Sequence, residues 1–189
     1  TVAEIEAALP EQARRWRERR FDGSQYPYLI IDARYEKVRK EGQIKSQAVL
    51  VICGVDDEGR RDVLGYWLGD SESEATWGDA FAELKGRGLR GVEVVVSDAH
   101  RGIRKAVARH FQGAAWQRCQ VHLMRDLLNW ASWRDRKVLA ADLHAIYASD
   151  EKEACLAAAE AVAAKWEKKL PKMAQALREG VEDTLTVWA

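Results

Sequence analysis

Two aspartates are the residues of this chain whose type and position best suit chemistry. Asp32 sits inside the otherwise apolar run YLIID. By the two-residue period of a strand it shares the face of Tyr28 and Ile30, while Leu29, Ile31 and Ala33 point the other way. A carboxylate buried there without a partner is costly, so it must meet a cation, a metal or the rim of the sheet. Asp98 stands at the carboxyl end of the most hydrophobic run, VEVVV, where open α/β sheets place their ligands, and His100 follows two residues later. If the strand of Asp32 lies beside that run, two carboxylates converge. Oxygen ligands of this kind suit Mg²⁺ or Mn²⁺, which take one or two protein carboxylates with waters and substrate phosphate oxygens, and phosphodiester chemistry follows from them. The bland alternative is that Asp98 caps the helix after it and Asp32 pairs with Arg34 or a nearby lysine.

Cys119 and His122 form C-x-x-H, a spacing that can supply two ligands to zinc. A structural zinc normally has four, and no second close pair exists among Cys53, Cys155, His100, His110 and His144. Cys119 therefore reads as a buried small apolar residue, and His122 as a polar group at the sheet rim, available to a phosphate. Trp67, Trp77 and Trp116 read as core; for Trp130 and Trp133 the stacking of flipped bases is the alternative to core. No nucleotide-binding glycine pattern, nucleophile elbow or zinc-protease helix is present.

The elements that must position these residues are legible in the periodicity. Val2, Ile5, Leu9 and Trp16 space out an amphipathic helix over the first twenty or so residues, ending in the basic run RRWRERR, read as a solvated helix end in preference to a DNA-contacting patch. YPYLIIDARYEKVR, QAVLVICGV and RDVLGYWLG are three successive strands, the last two joined by the hairpin turn DDEG. A helix follows, with Ser71 and Glu74 spaced as a capping box and Trp77, Phe81 and Leu84 on one face. VEVVV is a central strand covered on both faces, SDAH leads into a helix bearing Ile103, Val107 and Phe111, and AAWQRCQV is the fifth strand. The order β-β-β-α-β-α-β makes a mixed α/β sheet. From about Leu123 the pattern is helical only: Val138, Leu139, Leu143 and Ile146, an Ala-rich helix after Ser149-Asp150, a helix boundary at Pro171, and stretches to Gly180 and Trp188.

Composition bounds the function classes. The 189 residues are 47% hydrophobic, enough for a packed core. Lys plus Arg and Asp plus Glu number 30 each, so a nucleic-acid partner must be served by local patches rather than by net charge. Three widely spaced cysteines fit a reducing compartment better than a disulfide framework, and no run has the length of a membrane span. The first residue is Thr1, which leads us to expect a fragment or a processed product.

The strings YLIIDARYEKVR, GVDDEGRRDVLGYWLGDSESEATWGDAFAELKGRGLRGVEVVVSDAHRGIRKAV and AAWQRCQVHLMRDLL closely resemble Mutator-like transposases of bacterial insertion sequences, from about Tyr26 to Leu128. The resemblance implies an RNase H-like fold, with residues 1–25 as a helical lead-in, 26–128 as the catalytic core and 129–189 as an all-helical insertion. It implies a DDE-type active site in which two Asp and one Glu bind two Mg²⁺ or Mn²⁺ ions, with Asp32 as first acid and Asp98 as second, and it matches Cys119 and His122 to a family C-x-x-H signature. The third acid is expected in a segment resembling TTN-x-x-E-R, which does not occur before Ala189; Glu179 and Glu182 are poor substitutes, and this chain by itself is expected to be inactive or very weak. Ala33 stands where the family usually has Gly. The implied partners are DNA, as transposon ends and target, and further copies of the protein synapsing two DNA ends, with no membrane and a cytoplasmic, nucleoid-associated location. The rival expectations are a non-catalytic remnant or domesticated module that binds DNA or a protein, and a structure-selective nuclease of the same fold.

Overall fold

The computed structural model describes residues 11–40 and 42–188. Val2, Ile5 and Leu9, expected on the first helix, lie outside the described residues. Residues 11–18 are helical (α1). Then come β1 (Tyr28–Lys40), β2 (Gln43–Val55), β3 (Arg61–Gly69), α2 (Glu74–Gly86), β4 (Val94–Ser97), α3 (Arg101–His110), β5 (Ala115–Arg118), α4 (Gln120–Leu128), α5 (Trp133–Ala145), α6 (Lys152–Trp166) and α7 (Pro171–Gly180), with short 3₁₀ turns at Glu182–Thr184 and Thr186–Trp188. The five strands form one mixed sheet in the order β3-β2-β1-β4-β5, an RNase H-like arrangement followed by an all-helical segment. The sheet order makes β1 and β4 neighbours, as the aspartate reading requires. Among the described residues no helix is long and apolar enough to cross a membrane.

Contacts group the chain into two compact units: the part up to Val95 with His100–Ala114, and Val96–Ala99 with the part from Ala115 onward. In the first, β1 and β2 pair antiparallel from Tyr28 opposite Val55 to Lys40 opposite Gln43. The hairpin between β2 and β3 is built by Asp56, whose Oδ1 accepts the N–H groups of Glu58 at 3.0 Å and Arg60 at 2.8 Å, while Gly59 takes φ of +77°. Strand alternation puts Leu29, Ile31, Leu50, Ile52 and Leu64 into the core. From the helical side Trp77, Phe81 and Leu84 of α2 and Ile103, Ala106 and Val107 of α3 are buried, and α2 packs on α3. Phe81 meets Phe111 edge-on at 4.9 Å between centroids.

Three expectations need correction here. The N-cap of α2 is Ser73, not Ser71: its Oγ accepts the Thr76 N–H at 3.1 Å. The fifth strand is only four residues long, because the chain turns at Cys119 and is helical from Gln120; that frame puts Leu123 and Leu127, four apart, on one buried face. Of the tryptophans read as core, only Trp77 is fully buried; Trp67 and Trp116 are half-buried, each with its indole N–H donated to a side chain, Glu83 Oε2 at 2.7 Å and Ser97 Oγ at 2.8 Å.

In the second unit Leu123, Leu127, Leu139, Leu143, Cys155, Ala159, Ala163, Trp166, Met173, Leu177, Val181 and Leu185 share one core. Ala159 and Ala163 keep the inner face of α6 small where it packs on α7. Pro171 opens α7 rather than closing a longer helix, at the first turn where its missing N–H costs nothing. Ser132 caps α5, accepting the Asp135 N–H and donating its hydroxyl to Asp135 Oδ2 at 2.6 Å.

Candidate catalytic carboxylates and the C-x-x-H turn

Asp32 lies in the middle of β1, opposite Val51 of β2. The two-faced reading of this strand holds: Leu29 and Ile31 are buried, whereas Tyr28, Ile30 and Asp32 are exposed. The carboxylate thus stands on an open sheet face and carries no burial penalty. Its Oδ1 accepts the N–H of Ala33 at 2.9 Å, which fixes the side chain against its own strand. Arg34, the partner suggested by the bland reading, pairs instead with Glu36 at 2.5 Å.

Asp98 directly follows β4 and is half-buried. The N-cap position of α3 belongs to His100, so Asp98 is not the cap residue that the bland reading made it. The second unit holds Asp98 together with Cys119 and His122. Here the last residue of β4, Ser97, joins the segments: it is 1% exposed, its Oγ donates to the Asp98 carbonyl at 2.7 Å and accepts the Trp116 indole N–H at 2.8 Å, and its own carbonyl accepts the Cys119 N–H at 2.6 Å. Ser97 was not singled out by sequence reasoning. The available signal was a small hydroxyl residue ending an apolar run immediately before the candidate acid.

Cys119 is not buried as expected but half-buried, the N-cap residue of α4 with no side-chain cap bond, and His122 lies in the first turn of that helix rather than at a strand end. Among the described residues no group of three or more His, Cys, Asp or Glu is arranged to hold a metal ion. The hard carboxylate oxygens of Asp32 and Asp98 are of the type that Mg²⁺ or Mn²⁺ accepts from one or two protein side chains, so the donor chemistry present fits such an ion.

Around this framework the helical surface is uneven. Trp130 and Trp133, read as core or as stacking residues, are both exposed, Trp133 to 90%, and Lys172 Nζ lies 5.6 Å from the Trp130 ring. The core reading of these two is therefore set aside.

The model of the family described as Transposase, Mutator family, matches residues 1–189. The chain belongs to the Mutator family of transposases. Proteins similar to it include the transposase for insertion sequence element ISRM5 of Rhizobium meliloti (strain 1021), 38% identical over 98% of this chain and 46% of the relative. The transposase for IS406 of Burkholderia multivorans is 36% identical over 99% of this chain and 48% of the relative. The transposase for IS256 in transposon Tn4001 of Staphylococcus aureus is 38% identical over 67% of this chain and 32% of the relative. The chain thus spans about half the length, or less, of these insertion-sequence transposases.

Proposed function

We propose that the full-length protein to which this chain corresponds is a DNA transposase of the DDE type, which cleaves DNA at the ends of an insertion sequence and joins them to a target, with Asp32 and Asp98 as two of its catalytic acids. The observation that carries this reading is that, in a chain of the transposase family, Asp32 is on β1 and Asp98 directly follows β4, its neighbour in the sheet. When bound, Mg²⁺ or Mn²⁺ would supply the Lewis acidity that activates a water or a DNA 3′-hydroxyl and stabilises the leaving oxygen. The protein's part is to hold the ligands. The Ala33 N–H fixes one oxygen of Asp32, whose side chain is on the exposed face of β1, where a bound cation would link it to a substrate phosphate. Ser97, clamped by Trp116, fixes the backbone at Asp98. Preorganisation of this kind is what positions reacting groups without cost at the moment of reaction. A third acid, in a segment of the form TTN-x-x-E-R, completes the proposed set, and further copies of the protein synapse the two DNA ends.

The test is transposition by the full-length protein carrying Asp32→Asn or Asp98→Asn, with Asp56→Asn, a turn residue, as control. Loss in both variants at wild-type protein levels, with the control active, is the expected result. Transposition by either variant would remove that residue from the catalytic set.

A further inference from the structure

Among the described residues, the basic run that ends the first helix divides into arginines with partners and one without. Arg14 bonds to Glu11 at 2.9 Å and to Glu18 at 3.3 Å, and Arg15 to Glu11 at 2.9 Å. Arg19 bonds to both Asp62 oxygens, at 2.9 and 2.8 Å, and to the Val63 carbonyl at 2.7 Å. Arg17 makes no hydrogen bond or ion pair among the described residues. It lines a groove of about 680 Å³ with Arg14 and Glu18 of α1, Tyr66 of β3, and Glu83 and Arg87 of α2.

Arg87 is a built feature of that groove. It is 8% exposed, its Nε donates to the Arg19 carbonyl at 2.9 Å, and its guanidinium lies 4.6 Å from the centre of the Phe21 ring. Both terminal nitrogens are buried without a hydrogen-bond partner. The nearest acid, Glu83, stands 3.7 Å from Nη1, beyond hydrogen-bond reach, and its other oxygen accepts the Trp67 indole. Burial pulls the Arg87 pKa below its ordinary value; Glu83 opposes this, and the positive charges of Arg19 and Arg17 add to it. Buried donors left unpaired are expensive, and a guanidinium fork presents two parallel N–H groups whose best complement is a two-oxygen anion.

We infer that this groove binds a phosphodiester group of the DNA backbone, held by Arg17 at its rim and Arg87 at its base. The phosphodiester's two free oxygens match the fork, and Tyr66, 6.1 Å from Trp16 in a stacked pair, presents a phenol at the same rim. Two acids oppose the arginines in the groove, Glu18, held by Arg14, and Glu83, held by the Trp67 indole. The assignment of the phosphate to DNA rests on the transposase reading; the oxyanion site itself does not.

The experiment is titration of a fluorescent DNA duplex with the 189-residue chain in EDTA, across a salt series, so that neither a metal nor catalysis contributes. Arg17→Ala should weaken binding roughly tenfold and lower the slope of log K against log salt by about one, because one phosphate contact is lost. Arg15→Ala, on the same helix but outside the groove, should leave both unchanged, and Glu18→Gln should tighten binding. Equal affinities and slopes for wild type and Arg17→Ala would overturn the proposal. So would a chain that does not bind duplex but melts higher in inorganic phosphate only when Arg17 is present, since the site would then take free phosphate. An Arg17-dependent duplex affinity alongside unaffected transposition by Asp32→Asn would sustain this site and sink the catalytic assignment instead.

Discussion

Replacing Ser97 by Ala tests whether the end of β4 is clamped as described. The side chain is almost wholly buried and makes two hydrogen bonds, 2.7 Å to the Asp98 carbonyl and 2.8 Å from the Trp116 indole. Each such bond contributes about 0.5–1.5 kcal/mol net, so Ala should cost about 1–3 kcal/mol. At roughly 2–4 °C per kcal/mol for a chain of this size, the expected fall in Tm is about 2–12 °C. Trp116→Phe removes the indole bond to Ser97 and should cost at least about 1 kcal/mol. The two changes share one bond, so the double variant should be less destabilised than the sum of the singles by about 0.5–1.5 kcal/mol. Urea denaturation of the four proteins gives the cycle. Ser97→Ala with wild-type stability, or strict additivity in the double variant, would refute the clamp.

Two further outcomes follow from the first unit. Ser73→Ala should cost about 1 kcal/mol and Ser71→Ala much less, because only Ser73 caps α2; equal losses in thermal denaturation would return the cap to the sequence-based position. His110 is held below its ordinary pKa of 6.5, by burial first and then by Lys85 and Arg109. The unfolded chain therefore takes up the proton more readily, so the stability due to neutral His110 is fully present above about pH 6.5 and is lost as the pH falls through the lower folded value. His110→Gln should flatten that acid limb in urea denaturation at pH 5 to 7, and an unchanged limb would contradict it.

Much of this arrangement was legible because it depends on short-range periodicity. The faces of β1 follow from alternation alone, and the DDEG turn from Asp and Gly chemistry at Asp56 and Gly59. The neighbouring of β1 and β4 is allowed by the order of elements but not fixed by it, and the sheet order supplies it. Boundaries were less legible. In the stretch DSESEAT the capping-box spacing points to Ser71 with Glu74, yet the helix starts behind Ser73, in the register that buries Trp77, Phe81 and Leu84. WQRCQV has the residue types of a strand, yet burial of Leu123 and Leu127 imposes a helix from Gln120 and leaves Val121 exposed. At the site, Asp32 and Asp98 stood out as carboxylates in apolar runs, but Ser97 and the orphaned guanidinium of Arg87 did not. Their significance lies in long-range partners that spacing does not encode.

The most direct test of the central claim, that Asp98 is a metal-binding acid of a transposase, is strand cleavage at the insertion-sequence end by full-length protein carrying Asp98→Cys, measured in Mg²⁺ and in Mn²⁺. A thiolate is a poor ligand for Mg²⁺ and a better one for the softer ion, so the variant should be inactive in Mg²⁺ and regain part of its activity in Mn²⁺. Full activity in Mg²⁺ would contradict the claim.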